Sequence, residues 1–130
     1  MMRTLIAALG LFGLANVAQA NSPDEACAAL MEARGHLVSM LGTTDRATQD
    51  DLRAKVHAAT ARVDGILNQI ATSEAAKVNA FRPVWEEFKK TRETEIIPLI
   101  YAGKNAEARA IATGIQAERM GKMRAAMGCK

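Results

Sequence analysis

Three arginines, two aromatic rings, two cysteines and a group of methionines are the residues of this 130-residue chain whose types could do chemistry. Arg34 interrupts the apolar helical stripe formed by Ala26, Leu30, Ala33, Leu37 and Leu41; Arg92 falls between Phe88 and Ile96, and Arg119 between Ile115 and Met123. Guanidinium groups converging beside Trp85 and Phe88 would suit an anionic ligand, because their fork matches a carboxylate and the rings supply an apolar wall. The same spacing has a second reading. Arginine at the flank of a helical seam lays its stem along the core with its head in water, or pairs with Glu95 or Glu118 one turn away.

Metal chemistry is the next possibility. Glu32, His36 and Met40 stand at i, i+4 and i+8, and Met120, Met123 and Met127 cluster on the last helix, so soft ligands for Cu(I) could be assembled. Against this, methionine at helical spacing fills gaps in cores, and His36 projects onto a polar face. His57 projects outward too. No nucleophile with a base, pair of unlike carboxylates or Gly-rich phosphate loop can be put together, so the chain is expected not to be an enzyme and to carry no cofactor. Cys-x-x-Cys-His, the attachment site of covalent haem, is absent. Lys and Arg total 17 against 14 Asp and Glu and are interleaved with them, which makes no nucleic-acid-binding stripe.

The elements that must position these residues read as helices. Residues 1–20 have the form of a secretory signal peptide: Arg3, an apolar stretch over 4–17, and Ala18-Gln19-Ala20 before Asn21. That stretch is shorter than the ~18–20 residues that cross a bilayer, so export to the periplasm with no membrane helix remaining is expected. Residues 21–130 suffice for one domain, and the scarcity of strand-like alternation makes it all-α. A first helix should run from Pro23 to Leu41, with Ser22 as cap, Glu25 as the return arm of a capping box and Gly42 as stop. A second should follow a cap at Thr48 and Asp51, burying Leu52, Val56, Ala59, Val63, Ile66 and Ile70 on one seam. Ser73 and Glu74 mark the third start, and Pro83 and Pro98 imply bends near Asn79 and Thr94; the alternative parse begins that helix at Pro83. The fourth should span Ala106 to Met127, with Ile111, Ile115, Met123 and Met127 inward and Gly128 as stop.

Val78, Phe81, Trp85, Phe88, Ile96, Leu99 and Ile100 form the buried stripe of the third helix, and Gly103 with Asn105 gives a short turn into the fourth. Ser73, Glu74, Phe81, Trp85, Phe88, Arg92, Ile96 and residues 103–108 together resemble the second half of the four-helix-bundle sensor domain of bacterial methyl-accepting chemotaxis receptors. That resemblance implies a stand-alone, extracytoplasmic, non-enzymatic bundle that binds a small ligand or a membrane sensor partner, with homodimerisation as a further expectation.

Short connections predict an antiparallel, up-down-up-down four-helix bundle. In that topology Cys27, early in the first helix, and Cys129, after the fourth, meet at one pole. In an exported protein such a pair is expected to be oxidised, which predicts a Cys27–Cys129 disulfide.

Overall fold

The computed structural model describes residues 21–130; the signal-peptide reading of residues 1–20 lies outside them. Every regular element among the described residues is helical. They group into four arms: α1 (Pro23–Leu41); α2 (Arg46–Ile70); a third arm of α3 (Ala75–Thr91), a π turn (Arg92–Ile96) and α4 (Ile97–Tyr101); and a fourth of α5 (Asn105–Thr113) and α6 (Ile115–Met127).

α1 begins as its sequence dictates. Ser22 is extended and its hydroxyl accepts the Glu25 N–H at 3.4 Å, while Pro23 occupies the first turn, where no amide donor is missed. Its other end is closed from a distance. Gly42 is not left-handed; instead the carbonyls that α1 leaves free are taken by side chains from the far arm. Asn105 Nδ2 donates to Leu41 O at 3.1 Å and to Thr43 O at 3.0 Å, and Arg109 Nη2 reaches Leu41 O at 3.1 Å. Asn105 therefore does not cap its own helix, as its place after Gly103 suggests, but donates to the end of another. The cap of α2 is likewise one turn earlier than expected: Asp45 Oδ2 accepts from Thr48 N at 2.9 Å and from the Thr48 hydroxyl at 2.6 Å.

α3 starts at Ala75 and continues past Pro83, which rules out a helix beginning at that proline. Near Thr94 the expected bend is a π turn. Pro98 has no N–H for the Thr94 carbonyl, and the ring widens so that Ile97 N–H bonds Arg92 O, five residues back. One extra residue per turn shifts the inward face by a position, which is why the adjacent Ile96 and Ile97 are both buried.

The fourth arm is broken at Gly114. A Cβ there would stand 2.9 Å from Ala110 O, so glycine alone fits the break. The break resets the helical phase: Ile115, expected inside, is 44% exposed, and Gln116 takes the inward position at 3%. Gly103 and Gly128 have φ of +79° and +75°, the left-handed stops their positions call for.

The interior has two apolar clusters. One gathers Leu30, Val63, Leu67, Phe81, Trp85, Phe88, Met120, Met123 and Met127, with Cys27 and Cys129 packed on it. The other holds Leu37, Met40, Leu41, Val56, Ile96, Ile97, Ile100 and Ala108. Between them in sequence position on the second, third and fourth arms lie the buried polar residues Thr60, Thr91, Arg92 and Gln116. α1 packs most extensively on α2 and α3 on α6, whereas α1 touches α5 and α6 at few points. Cys27 and Cys129 form a disulfide across a sequence separation of 102. No helix of the described residues is long and apolar enough to cross a membrane.

A covalent loop of this length removes enough chain entropy from the unfolded state to contribute about 4–5 kcal/mol, a large share of the ~5–15 kcal/mol typical of a domain. Urea melts with and without reductant should show a clear fall in midpoint on reduction, matched by Cys27→Ser. An unchanged midpoint would mean the bond adds nothing to the fold.

Candidate functional site

Between α1 and the fourth arm lies a surface groove of about 560 Å³. From α1 it is lined by Met31, Arg34, Leu37, Val38 and Leu41; from α5 by Arg109, Ala112 and Thr113; from α6 by Gln116, Ala117, Met120, Gly121 and Arg124; Phe88 of α3 completes the floor. Three lining residues are arginines and none is Asp or Glu, so the wall carries charge of one sign over an apolar base. A shallower depression of about 360 Å³ at Thr94, Pro98 and Ile111 includes both Glu95 and Lys104 and selects no sign.

The five residues proposed from spacing divide. Arg34 and Phe88 line the groove. Trp85 lies behind Phe88, stacked on it with ring centroids 6.0 Å apart, fully buried, its Nε1 donating to Asp64 Oδ1 at 2.7 Å. Lys89 sits 3.3 Å from the same carboxylate and over the indole ring at 5.2 Å. Arg92 points into the protein rather than into the groove: only 3% exposed, it donates from Nη1 to Thr60 Oγ1 at 3.0 Å and from Nε to Glu93 Oε2 at 2.8 Å. Arg119 donates to Thr91 Oγ1 at 2.8 Å and Gln116 Oε1 at 2.9 Å, with Glu87 at 3.3 Å. The three arginines therefore do not converge on the groove: Arg92 and Arg119 are held by Thr60, Thr91 and Gln116 instead.

Arg109 and Arg124 are the groove residues that sequence reasoning missed. Ala117, Gly121 and Arg124 follow the 4-and-3 spacing of one helical face, a stripe of small residues and one arginine that does not read as apolar. No family model, curated protein or solved structure matches the chain. Its function has to be read from these residues alone.

The proposed metal ligands are dispersed. Met40 belongs to one apolar cluster and Met120 and Met123 to the other, while Glu32 accepts from Arg62 at 2.7 Å and lies 3.7 Å from His36. Among the described residues no three His, Cys, Asp or Glu side chains converge as ligands to one ion. Within the groove the Thr113 hydroxyl donates to Arg109 O at 2.8 Å.

His57 Nε2 stands 3.0 Å from Glu93 Oε1, which continues the Arg92 network to the surface. Burial by itself would raise the Glu93 carboxyl, but hydrogen bonds and charge from Arg92 and His57 outweigh it and hold the pKa below its ordinary value. A carboxylate depressed in the folded state contributes stability above its unfolded pKa, near ~4.3, and loses that contribution as pH falls through the folded value. Urea midpoints followed from pH 7 to pH 2 should therefore decline on the acid side, less steeply in Glu93→Gln; an equal slope in the variant would exclude the pairing as a source of acid sensitivity.

Two glycines of the fourth arm should respond oppositely to one substitution. A Cβ on Gly121 meets nothing within 4 Å, so Gly121→Ala should raise stability by roughly 0.5–1 kcal/mol, the usual gain of replacing glycine inside a helix. Gly114→Ala, which must displace Ala110 O, should lower it by more than ~1 kcal/mol. Denaturant midpoints of the two variants check both signs.

Proposed function

We propose that this protein is an exported, non-enzymatic binding bundle, of the kind the resemblance to chemoreceptor sensor domains implies, which holds a small anionic ligand in the groove between α1 and the fourth arm. The observation that carries this reading is the lining itself: Arg34, Arg109 and Arg124 with no carboxylate among them, over an apolar floor, in a volume within the usual ~300–1,000 Å³ of small-molecule sites. Guanidinium groups beside an apolar floor, with no carboxylate among the lining residues, favour an anion from outside.

An up-down-up-down antiparallel arrangement of the four arms belongs to the same reading. Its support is the order of cross-arm bonds: Asn68 with Arg82, Asp64 with Trp85, Thr60 with Arg92, Asp50 with Tyr101, one number falling as the other rises. Leu41 with Asn105 and Cys27 with Cys129 follow the same rule between the first and fourth arms. Periplasmic location is supported by the form of residues 1–20 and by the disulfide, which persists in oxidising compartments.

Thermal melts with a panel of carboxylates test the site. At a hundred times its Kd, a ligand that binds only the folded state stabilises by about 2.7 kcal/mol, so at least one member should raise the midpoint and the rise should vanish in Arg34→Gln. A panel without effect, or an effect that survives the substitution, refutes the groove as an anion site.

A further inference from the structure

The arginines of the groove differ in what already holds them. Arg109 donates to Leu41 O at one end, and Arg124 to Lys130 O at the other. Arg34 makes no hydrogen bond or ion pair among the described residues, and it stands midway along α1 between Cys27, at the disulfide, and Leu41, at the far clasp. Arg34 is thus the groove guanidinium with all its donors open to an anionic head, while Arg124 keeps a buried Nε without a partner. Around it the surface turns apolar: Met31 and Val38, on the same helix, are 37% and 44% exposed, two of the three large apolar side chains left most open to water among the described residues. Below them Phe88 and Met120 form the floor, and Gly121 lets a ligand approach the α6 backbone.

The neutral polar side chains of the groove, Gln116 and Thr113, are already partnered; the free donors are on arginines, Arg34 and the buried Nε of Arg124. Gln116 Nε2 donates to Phe88 O at 3.0 Å and its Oε1 accepts from Arg119, while Thr113 is held by Arg109 O. A ligand rich in hydroxyls, such as a sugar or nucleoside, would find few donors or acceptors free to replace its water, and burying its polar groups unpaired is unfavourable. A hydrocarbon body needs none.

Resting on the anion-binding reading above, we propose that the ligand is an amphipathic monocarboxylate, its head on Arg34 and its hydrocarbon body laid between Met31, Val38, Phe88 and Met120. Binding then removes from water the apolar surface that the fold leaves exposed, and the single charge sets which amphiphiles are accepted.

The test uses the full chain with its disulfide intact and probes below their micelle concentrations: decanoate, acetate, and decyltrimethylammonium, which pairs a similar tail with the opposite charge. Trp85, the sole tryptophan, stacks on Phe88 and reports occupancy by fluorescence, with calorimetry as the second readout. Decanoate should bind at least tenfold more tightly than either acetate or decyltrimethylammonium, with a negative heat-capacity change, and Arg34→Gln should weaken it tenfold or more. Gly121→Leu, whose side chain projects into open space, should keep the helical circular dichroism of the parent and lose decanoate binding. Acetate bound as tightly as decanoate would overturn this inference and leave the anion site standing. Equal binding of the cationic amphiphile would overturn it by showing that the head is not read, and a folded Gly121→Leu that binds normally would place the amphiphile elsewhere. Failure of every anion to bind would remove both proposals together.

Discussion

A guanidinium taken out of water is the constraint around which this interior is arranged. Arg92 opens the π turn and is almost wholly buried, and a charge in that position is tolerated only where acceptors meet it. Thr60 supplies one from α2 and Glu93 another from the adjacent turn, with His57 beyond. Close to it, Gln116 and Arg119 tie α6 to Phe88 O and Thr91. The result is a polar waist that divides the apolar interior into its two clusters. Sliding the third arm by one turn, about 5.4 Å, would push the guanidinium into an apolar layer with no acceptor, so the waist specifies the register as well as occupying the middle.

The arms are joined in unlike ways on the two sides of the molecule. Between α2 and the third arm, long polar side chains form a ladder from Arg82 with Asn68, through Trp85 with Asp64, to Tyr101 with Asp50 and Arg46 with Tyr101 O. Between α1 and the fourth arm there is no such ladder among the described residues. That side is held at its ends, by the disulfide and by Asn105 and Arg109 on the last carbonyls of α1, and stays open along its length. The groove lies along α1 between these two clasps. The waist and the groove meet at Phe88 and Gln116, so the residues that fix the register also form part of the floor.

Much of this fold is written locally in the sequence. The stripe Val78, Phe81, Trp85, Phe88, the Ser22-Pro23 start of α1, the Gly103 and Gly128 stops and the meeting of Cys27 with Cys129 all stem from periodicity, capping chemistry and connection length. The features that were not legible depend on phase. The π turn inserts a residue before Pro98 and the Gly114 break resets the fourth arm. Each rotates the downstream residues by about 100° per residue shifted, enough to bring Gln116 in and turn Ile115 out. Arg92, by contrast, keeps the phase of Phe88 and is buried where its spacing puts it, and only its partners Thr60 and Glu93 were out of reach of the sequence. Long-range caps escaped for a different cause: Asn105 after a glycine stop reads as a helix start, and only the folded chain shows that it serves Leu41 and Thr43.

The bond between Cys27 and Cys129 also makes the bundle a closed ring in the covalent sense, with everything but the first turn of α1 inside it. Tension applied to the flanking segments outside that ring would run from one sulfur to the other and bypass the helices, leaving their packing unloaded. A machine that pulls polypeptides through a narrow pore would therefore have to draw this protein in as a doubled strand, or cut the ring first.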